Sequence, residues 1–331
     1  MKLRLLINPL ARGAYFQQVE EVAKAELIHC FFQGQQIETQ HIHEGNLEFM
    51  ELDLPKDQCE QGQLKPQDLD GLLKLSWVQA IFYVKQIDDS LYLKLEAQNA
   101  QFKQSGALVW GSKYRGKTHE LVTQLALNLT LASSHTQQKK LSLLDPMAGR
   151  GTSLLWAARY GMDAYGVELD PMAVEHFERD VKRQTKLHRI KHSVEQSTSK
   201  KGKRKGQGRY IEFKWVDSLT RLTVGDTRQA DQYVGAKRFT HLVTDLPYGI
   251  QFTGAKGERG PLSIIEAAAK TWFKLLYPGA SGAIIFNTLQ PKRVNLEQAF
   301  IQAGFTCEPF TIPHRMSESI KRDILLIKKP L

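Results

Sequence analysis

The sequence predicts an α/β protein: a doubly wound, mostly parallel sheet with helices on both faces, preceded by a smaller α+β domain. Three observations predict it. From about Leu108 onward, strand-length apolar runs alternate with longer amphipathic stretches. One such run, residues 142–145, ends in a turn containing Gly149 and Gly151 that opens directly onto an amphipathic stretch, the βα punctuation of doubly wound sheets. The first hundred residues lack this alternation, and the polar segment AQNAQFKQSG (97–106) separates the two textures.

In order, residues 2–7 read as a strand and 14–29 as an amphipathic helix. Further strands are expected at 46–54, 78–85 and 91–96, with a short helix near 67–74. These make up a first domain, 1–100, expected to bind substrate. The second domain, 101–331, begins with a helix that Thr118 caps and that runs to about Leu131. Strand 142–145, helix 152–160 and strand 163–168 follow, then a helix opened by Asp170 as cap and Pro171 in its first turn. Beyond a basic insertion lie strands 210–216 and 241–245, helix 262–276, strand 282–286 and helix 292–302. Two closing strands, 306–311 and 323–328, complete the domain, the last antiparallel.

The 331 residues are enough for two domains, and 42% apolar with 24% charged residues suits a folded globular chain. The opening MKLRLLINPLARG has a basic end but no sustained apolar run, so neither a signal peptide nor a membrane span is expected. Cys30, Cys59 and Cys307 are far apart and show no metal-ligand spacing, which fits reduced thiols in a cytoplasmic protein. The charge is concentrated. Residues 182–209 hold eleven Lys or Arg against Glu195 alone, so this insertion carries the whole net charge of +10. Such a patch attracts phosphates and points to nucleic acid, although a solvated basic loop has the same composition. His188 and His192, in that stretch, read as part of the patch and not as metal ligands.

Four places carry chemistry. In LLDPMAGRGTSLL (143–155) a buried strand ends at Asp145, two glycines follow and Thr152 starts a helix; this brings a ligand against backbone N–H groups at a helix start. The next strand ends in Glu168, where a carboxylate can accept both hydroxyls of a ribose. Asp217, after strand 210–216, is placed to accept from an adenine amino group, with an ordinary turn aspartate equally open. In VTDLPYG (243–249) the Asp245 carboxylate and the Leu246 carbonyl can hold the two N–H groups of an exocyclic amine. Pro247 fixes the turn, and Tyr248 offers a stacking face for an extruded base.

DPMAGRGT, GVELDP, VD and DLPYG, in that order, resemble the amino-methyltransferase branch of the class I S-adenosylmethionine-dependent enzymes. Asp245 at the first position of DLPYG, Gly249 after the aromatic and the ending PHRMSESIKRDILLIKK (313–329) are similar to the tRNA guanine-N2 methyltransferases that often carry a THUMP domain. The resemblance covers roughly residues 108–331. It implies a Rossmann-like methyltransferase fold with S-adenosyl-L-methionine as cofactor. Asp145, Pro146, Ala148, Gly149, Gly151 and Thr152 would form the cofactor loop, Glu168 and Leu169 would hold the ribose, and Asp217 and Ser218 the adenine. Asp245, Leu246, Pro247 and Tyr248 would hold the target base, Asp245 also lining the cofactor, with Lys117 or His119 close to the cofactor. No metal is implied. The expected activity is methylation of guanine N2 in structured RNA, tRNA or rRNA; adenine-N6 methylation of DNA or RNA is the alternative.

Overall fold

The computed structural model describes residues 1–55, 59–60, 63–112, 114, 117–197, 208–247, 261–317 and 320–331. They divide into two units, one comprising 1–101 with 312–320, the other 102–311 with 321–331. Among these residues no helix is long and apolar enough to cross a membrane.

The first unit contains β1 (Lys2–Ile7), α1 (Ala11–Tyr15), α2 (Val19–Cys30), β2 (Thr39–Glu44), β3 (Leu47–Asp53), the short β4 (Cys59–Glu60) and β5 (Gln63–Leu64), α3 (Pro66–Leu73), β6 (Val78–Ile87) and β7 (Ser90–Leu95). Its main sheet is antiparallel with order β2-β3-β1-β6-β7. Leu3 and Leu5 alternate into the core of β1, the period of a strand with one buried face. Arg4, on the other face, forms a buried pair with Glu51 across the β1–β3 register at 2.7 Å. The predicted helix 14–29 is two helices, because the chain departs from helical geometry at Phe16, whose φ is +52°. Residues 312–320, expected in the second domain, belong to this unit. His314 is fully buried here, edge-on to the Tyr15 ring at 5.8 Å.

The second unit runs α4 (Ala107–Trp110), α5 (Glu120–Ser133), β8 (Ser142–Asp145), α6 (Thr152–Arg159), β9 (Asp163–Glu168), α7 (Pro171–Leu187), β10 (Ser193–Ser197), β11 (Tyr210–Lys214), β12 (Leu219–Val224), α8 (Ala230–Val234), β13 (Phe239–Asp245), α9 (Pro261–Leu275), β14 (Leu276–Asn287), α10 (Arg293–Gln302) and β15 (Thr306–Cys307). After β16 (His314–Ser317), β17 (Ile320–Lys328) returns to its sheet. The strand order is β10-β11-β12-β9-β8-β13-β14-β17-β15. The five central strands, β12-β9-β8-β13-β14, are parallel. Antiparallel strands flank them on both sides, so the sheet is parallel only at its centre.

Strand direction moves one candidate residue, Asp217, away from its expected edge. Strand 210–216 was expected as the third parallel strand, but β11 runs antiparallel and turns back tightly, with Trp215 N–H bonded to the Ser218 carbonyl at 2.8 Å. The third parallel strand is β12. The basic stretch is also more ordered than its composition suggests: its start continues α7, and residues 193–197 form β10. Residues 198–207 lie outside the described part.

The core beside β13 and β14 is formed by Leu144, Leu242, Ile284 and Phe286 of the sheet with Ala268 and Trp272 of α9 and Phe300 of α10. Parallel strands buried this way need continuous apolar runs, which HLVTD and GAIIF supply. Because β8, β9, β12, β13 and β14 are parallel, their carboxyl ends share one edge, and the strand order reverses between β8 and β13. Ligands of open α/β sheets bind outside such an edge, at the reversal.

Candidate active site

The loop after β8 is built on Asp145. Its carboxylate is buried, accepting from Met147 N–H at 3.1 Å and from the Ser153 hydroxyl. Burial raises its pKa to about 7 against these two donors, which pull it down. Asp145 thus pins the loop from beneath instead of facing its mouth, and Pro146 and Ala148 are buried with it. Gly149 and Gly151 both have positive φ, +52° and +72°. A Cβ on Gly151 would stand 2.8 Å from the Phe177 ring, whereas one on Gly149 would meet nothing within 4 Å. The loop is therefore tight behind Gly151 and open at Gly149. Thr152 begins α6, half-buried, and the Arg150 guanidinium lies over the Tyr114 ring at 4.2 Å.

Glu168 ends β9 and ties this loop to the next. One carboxylate oxygen accepts from Gly149 N–H and the other from Asp170 N–H, each at 2.8 Å. Burial raises its pKa, and the two backbone donors oppose the rise. Each oxygen keeps a second lone pair for a ligand hydroxyl. Leu169 is exposed beside it. The Asp170 side chain caps α7, accepting from Met172 N–H at 2.9 Å.

The structure corrects the expectation for Asp217 and Ser218. Leu219, just after them, donates its N–H to Asp163 at 3.1 Å, and Asp163 begins β9. Asp217 and Ser218 therefore lie at the amino edge of the parallel strands, opposite Glu168. The acid at the carboxyl edge of the third parallel strand is Asp226. Gly225 N–H bonds the Glu168 carbonyl at 2.8 Å, and Asp226 follows, ion-paired with Arg228 at 2.6 Å. The cue is present in TVGD: an apolar-alternating strand, then glycine and acid.

Asp245 ends β13 at the reversal. Its Oδ2 accepts from the Thr118 hydroxyl and faces Arg322 Nη1 at 3.3 Å. Its Oδ1 is shielded from solvent and has no hydrogen-bond partner among the described residues. Burial raises the Asp245 pKa; Arg322 and Thr118 hold it back. Arg322 is fully buried near the start of β17, which reaches the carboxyl edge because it runs antiparallel to β14, pairing Arg322 with Asn287. Leu246 N–H bonds the Ile285 carbonyl at 2.9 Å and its side chain is buried, which fixes the backbone entering the turn. Pro247 is half-buried. Tyr248 lies outside the described residues.

The residues preceding α5 differ from expectation in detail. His119, not Thr118, caps the helix, its Nδ1 accepting from Leu121 N–H at 3.3 Å. The Lys117 ammonium is occupied by the Val109 and Ser112 carbonyls, at 2.9 and 2.7 Å, and by Glu120. Thr118 is the residue of this segment that reaches the acid. Neither Thr118 nor Arg322 stands out in the sequence as a partner of Asp245, since each is far from it along the chain.

The arrangement defines a Rossmann-like α/β protein whose parallel strands carry, at their carboxyl edge, a glycine turn, two strand-end acids beside it, and a half-buried carboxylate at the strand reversal with one oxygen lacking a partner among the described residues. Solved structures to which the chain is similar include TrmN from Thermus thermophilus, at 14% identity and TM-score 0.44, aligned over 75% of this chain and 59% of that one. Others are a methyltransferase from Pyrococcus furiosus (14% identity, TM-score 0.39, 68% and 92% coverage) and the 16S rRNA N2 G1207 methyltransferase RsmC of T. thermophilus in complex with AdoMet and guanosine (15%, 0.37, 88% and 58%). The chain thus spans less than two thirds of the length of TrmN and of RsmC. No protein-family model and no curated protein matches the chain.

Proposed function

We propose that the chain is an S-adenosylmethionine-dependent methyltransferase acting on the exocyclic amine of a base in RNA, with N2 of guanine in tRNA or rRNA as the target. The observation that carries the reading is Asp245, a carboxylate fixed by Thr118 and Arg322 whose Oδ1 has no hydrogen-bond partner among the described residues. The cofactor side fits: at Gly149 the cradle is open where a Cβ would stand, and Glu168 retains acceptor capacity toward a ribose. Gly149, Gly151, Glu168, Leu169 and Asp226 would hold the cofactor, Asp226 taking the role expected of Asp217. When bound, S-adenosylmethionine supplies an electrophilic methyl group on a sulfonium.

The chain's own contribution is orientation. An exocyclic base amine has its lone pair delocalised into the ring. Two acceptors, the Asp245 carboxylate and the Leu246 carbonyl, would take its N–H groups and favour a pyramidal nitrogen. Arg322 favours the accepting, ionised form of Asp245 against the burial that opposes it. Guanine suits a carboxylate better than adenine, because its ring N1 carries a hydrogen beside the amine, whereas adenine N1 is an acceptor that a carboxylate repels. Lys182, Arg183 and Lys186, exposed on α7, supply positive charge toward a phosphate backbone.

The test is single-turnover methylation of unmodified bulk RNA with labelled cofactor, read by nucleoside mass spectrometry. The expected product is N2-methylguanosine. Asp245→Ala should lower the rate roughly a hundredfold, the scale of one preorganised contact, with cofactor affinity nearly unchanged. Wild-type rates in that variant would refute the reading.

A further inference from the structure

We infer that the first unit carries a divalent transition-metal site of the zinc type, formed by His41 and His43 of β2 and Glu48 of β3. Strand pairing creates it. His43 is directly opposite Glu48 in the β2–β3 register, and His41, two residues from His43, projects from the same face. The two imidazoles are 4.5 Å apart, and one ligand atom from each of the three residues lies within 4.8 Å of the others. Tetrahedral zinc, with bonds of about 2.1 Å, needs its ligands about 3.4 Å apart, a closure within reach of the exposed His43 ring.

His41 carries the argument furthest. Its Nδ1 faces the Glu20 carboxylate of α2 at 3.1 Å; in a neutral ring with Nδ1–H donating there, the lone pair is on Nε2. That Nε2 is shielded from solvent, has no hydrogen-bond partner among the described residues, and is 3.5 Å from Glu48 Oε2. A neutral imidazole lone pair against a carboxylate oxygen is repulsive unless a cation lies between them. A carboxylate behind the histidine and a lone pair aimed at a second ligand is the usual outer-shell arrangement of a metal-bound histidine. Arg12 occupies the other oxygen, donating to Glu48 Oε1 from Nε at 2.9 Å and also from Nη2. Oε2 remains for the ion, and water would complete the coordination. Bound metal would fasten the β2–β3 hairpin to α2 through Glu20.

The experiment is calorimetric titration of the full chain with zinc chloride, alongside His41→Ala/His43→Ala to subtract other histidines. Wild type should show one additional, tighter site that the double variant lacks. Glu20→Gln keeps all three ligands and should weaken that site 10- to 100-fold, the usual effect of losing an outer-shell carboxylate. If wild type and the double variant bind zinc alike, there is no such site; if Glu20→Gln binds as wild type does, Glu20 is not an outer-shell partner of a metal-bound His41 and that part of the inference is overturned.

Discussion

Replacing Arg322 by methionine, a side chain of similar length without charge, tests whether the Asp245 carboxylate depends on a buried countercharge. Nη1 and Oδ2 are 3.3 Å apart and Arg322 is fully buried. At an effective dielectric of 20, the gross attraction over that distance is about 5 kcal/mol. Removing one partner of a buried pair strands the other, and such changes lose about 3–5 kcal/mol. The loss should depend on pH. Burial already raises the Asp245 pKa, and Arg322 opposes the rise. Without Arg322 the folded-state value climbs further above that of the unfolded chain. In acid both states bind the proton and the deficit is small; as pH rises, only the folded state must hold the proton or bury a bare charge, so the deficit grows. Urea unfolding of wild type, Arg322→Met, Asp245→Asn and the double variant at pH 5 and pH 8 reads this directly. The double variant should recover much of the loss at pH 8. A deficit under about 1 kcal/mol at pH 8, or a double variant no better than the sum of the singles, would refute the coupling.

The other predictions concern the cofactor side. Asp226→Ala should weaken S-adenosylmethionine binding roughly tenfold or more, as loss of a charge-assisted contact does, while Asp217→Ala leaves it unchanged; calorimetry distinguishes the two. Gly151→Ala should lower stability by about 1–3 kcal/mol in thermal unfolding, from the strained φ and the clash with Phe177. Gly149→Ala shares the strained φ but not the clash, so it should cost less stability than Gly151→Ala while also lowering cofactor affinity. Asp145 holds a pKa of about 7 by burial, against an ordinary 3.8. Its folded state therefore binds the proton more tightly, and wild-type stability should fall as pH rises from 4 to 7, on the order of 4 kcal/mol, then level off. Asp145→Asn should lack that contribution; parallel pH profiles for the two proteins would refute it.

What the sequence made legible was local. A glycine turn after an apolar strand, and acids at strand ends, are short-range patterns, and Asp145, Gly149, Gly151, Glu168 and Asp245 all lie at the carboxyl edge. Asp217 was misplaced because direction is not a property of a strand's composition: β11 and β12 are equally apolar, and only the tight turn at 215–218 distinguishes an antiparallel hairpin from a crossover. Arg322 and Thr118 were hidden for the opposite reason. Each meets Asp245 only after the sheet has formed, through the position of β17 beside β14 and of the segment before α5. The His41–His43–Glu48 cluster is also a product of register, since a one-residue slip in β2–β3 would turn the imidazoles away from Glu48.

The membership of 312–320 in the first unit affects how the chain emerges from the ribosome. Residues 1–101 are synthesised before the second unit, but the first unit is not complete until residue 320, because buried Ile312 and His314 follow most of the second unit in the chain. At about 5–20 residues per second, the nascent first unit waits roughly ten to forty seconds for its last segment. During that time the Tyr15 ring lacks the edge-on contact that His314 will make. A ribosome-stalled chain ending before residue 312 should accordingly be more readily cleaved by protease within residues 1–101 than the finished protein.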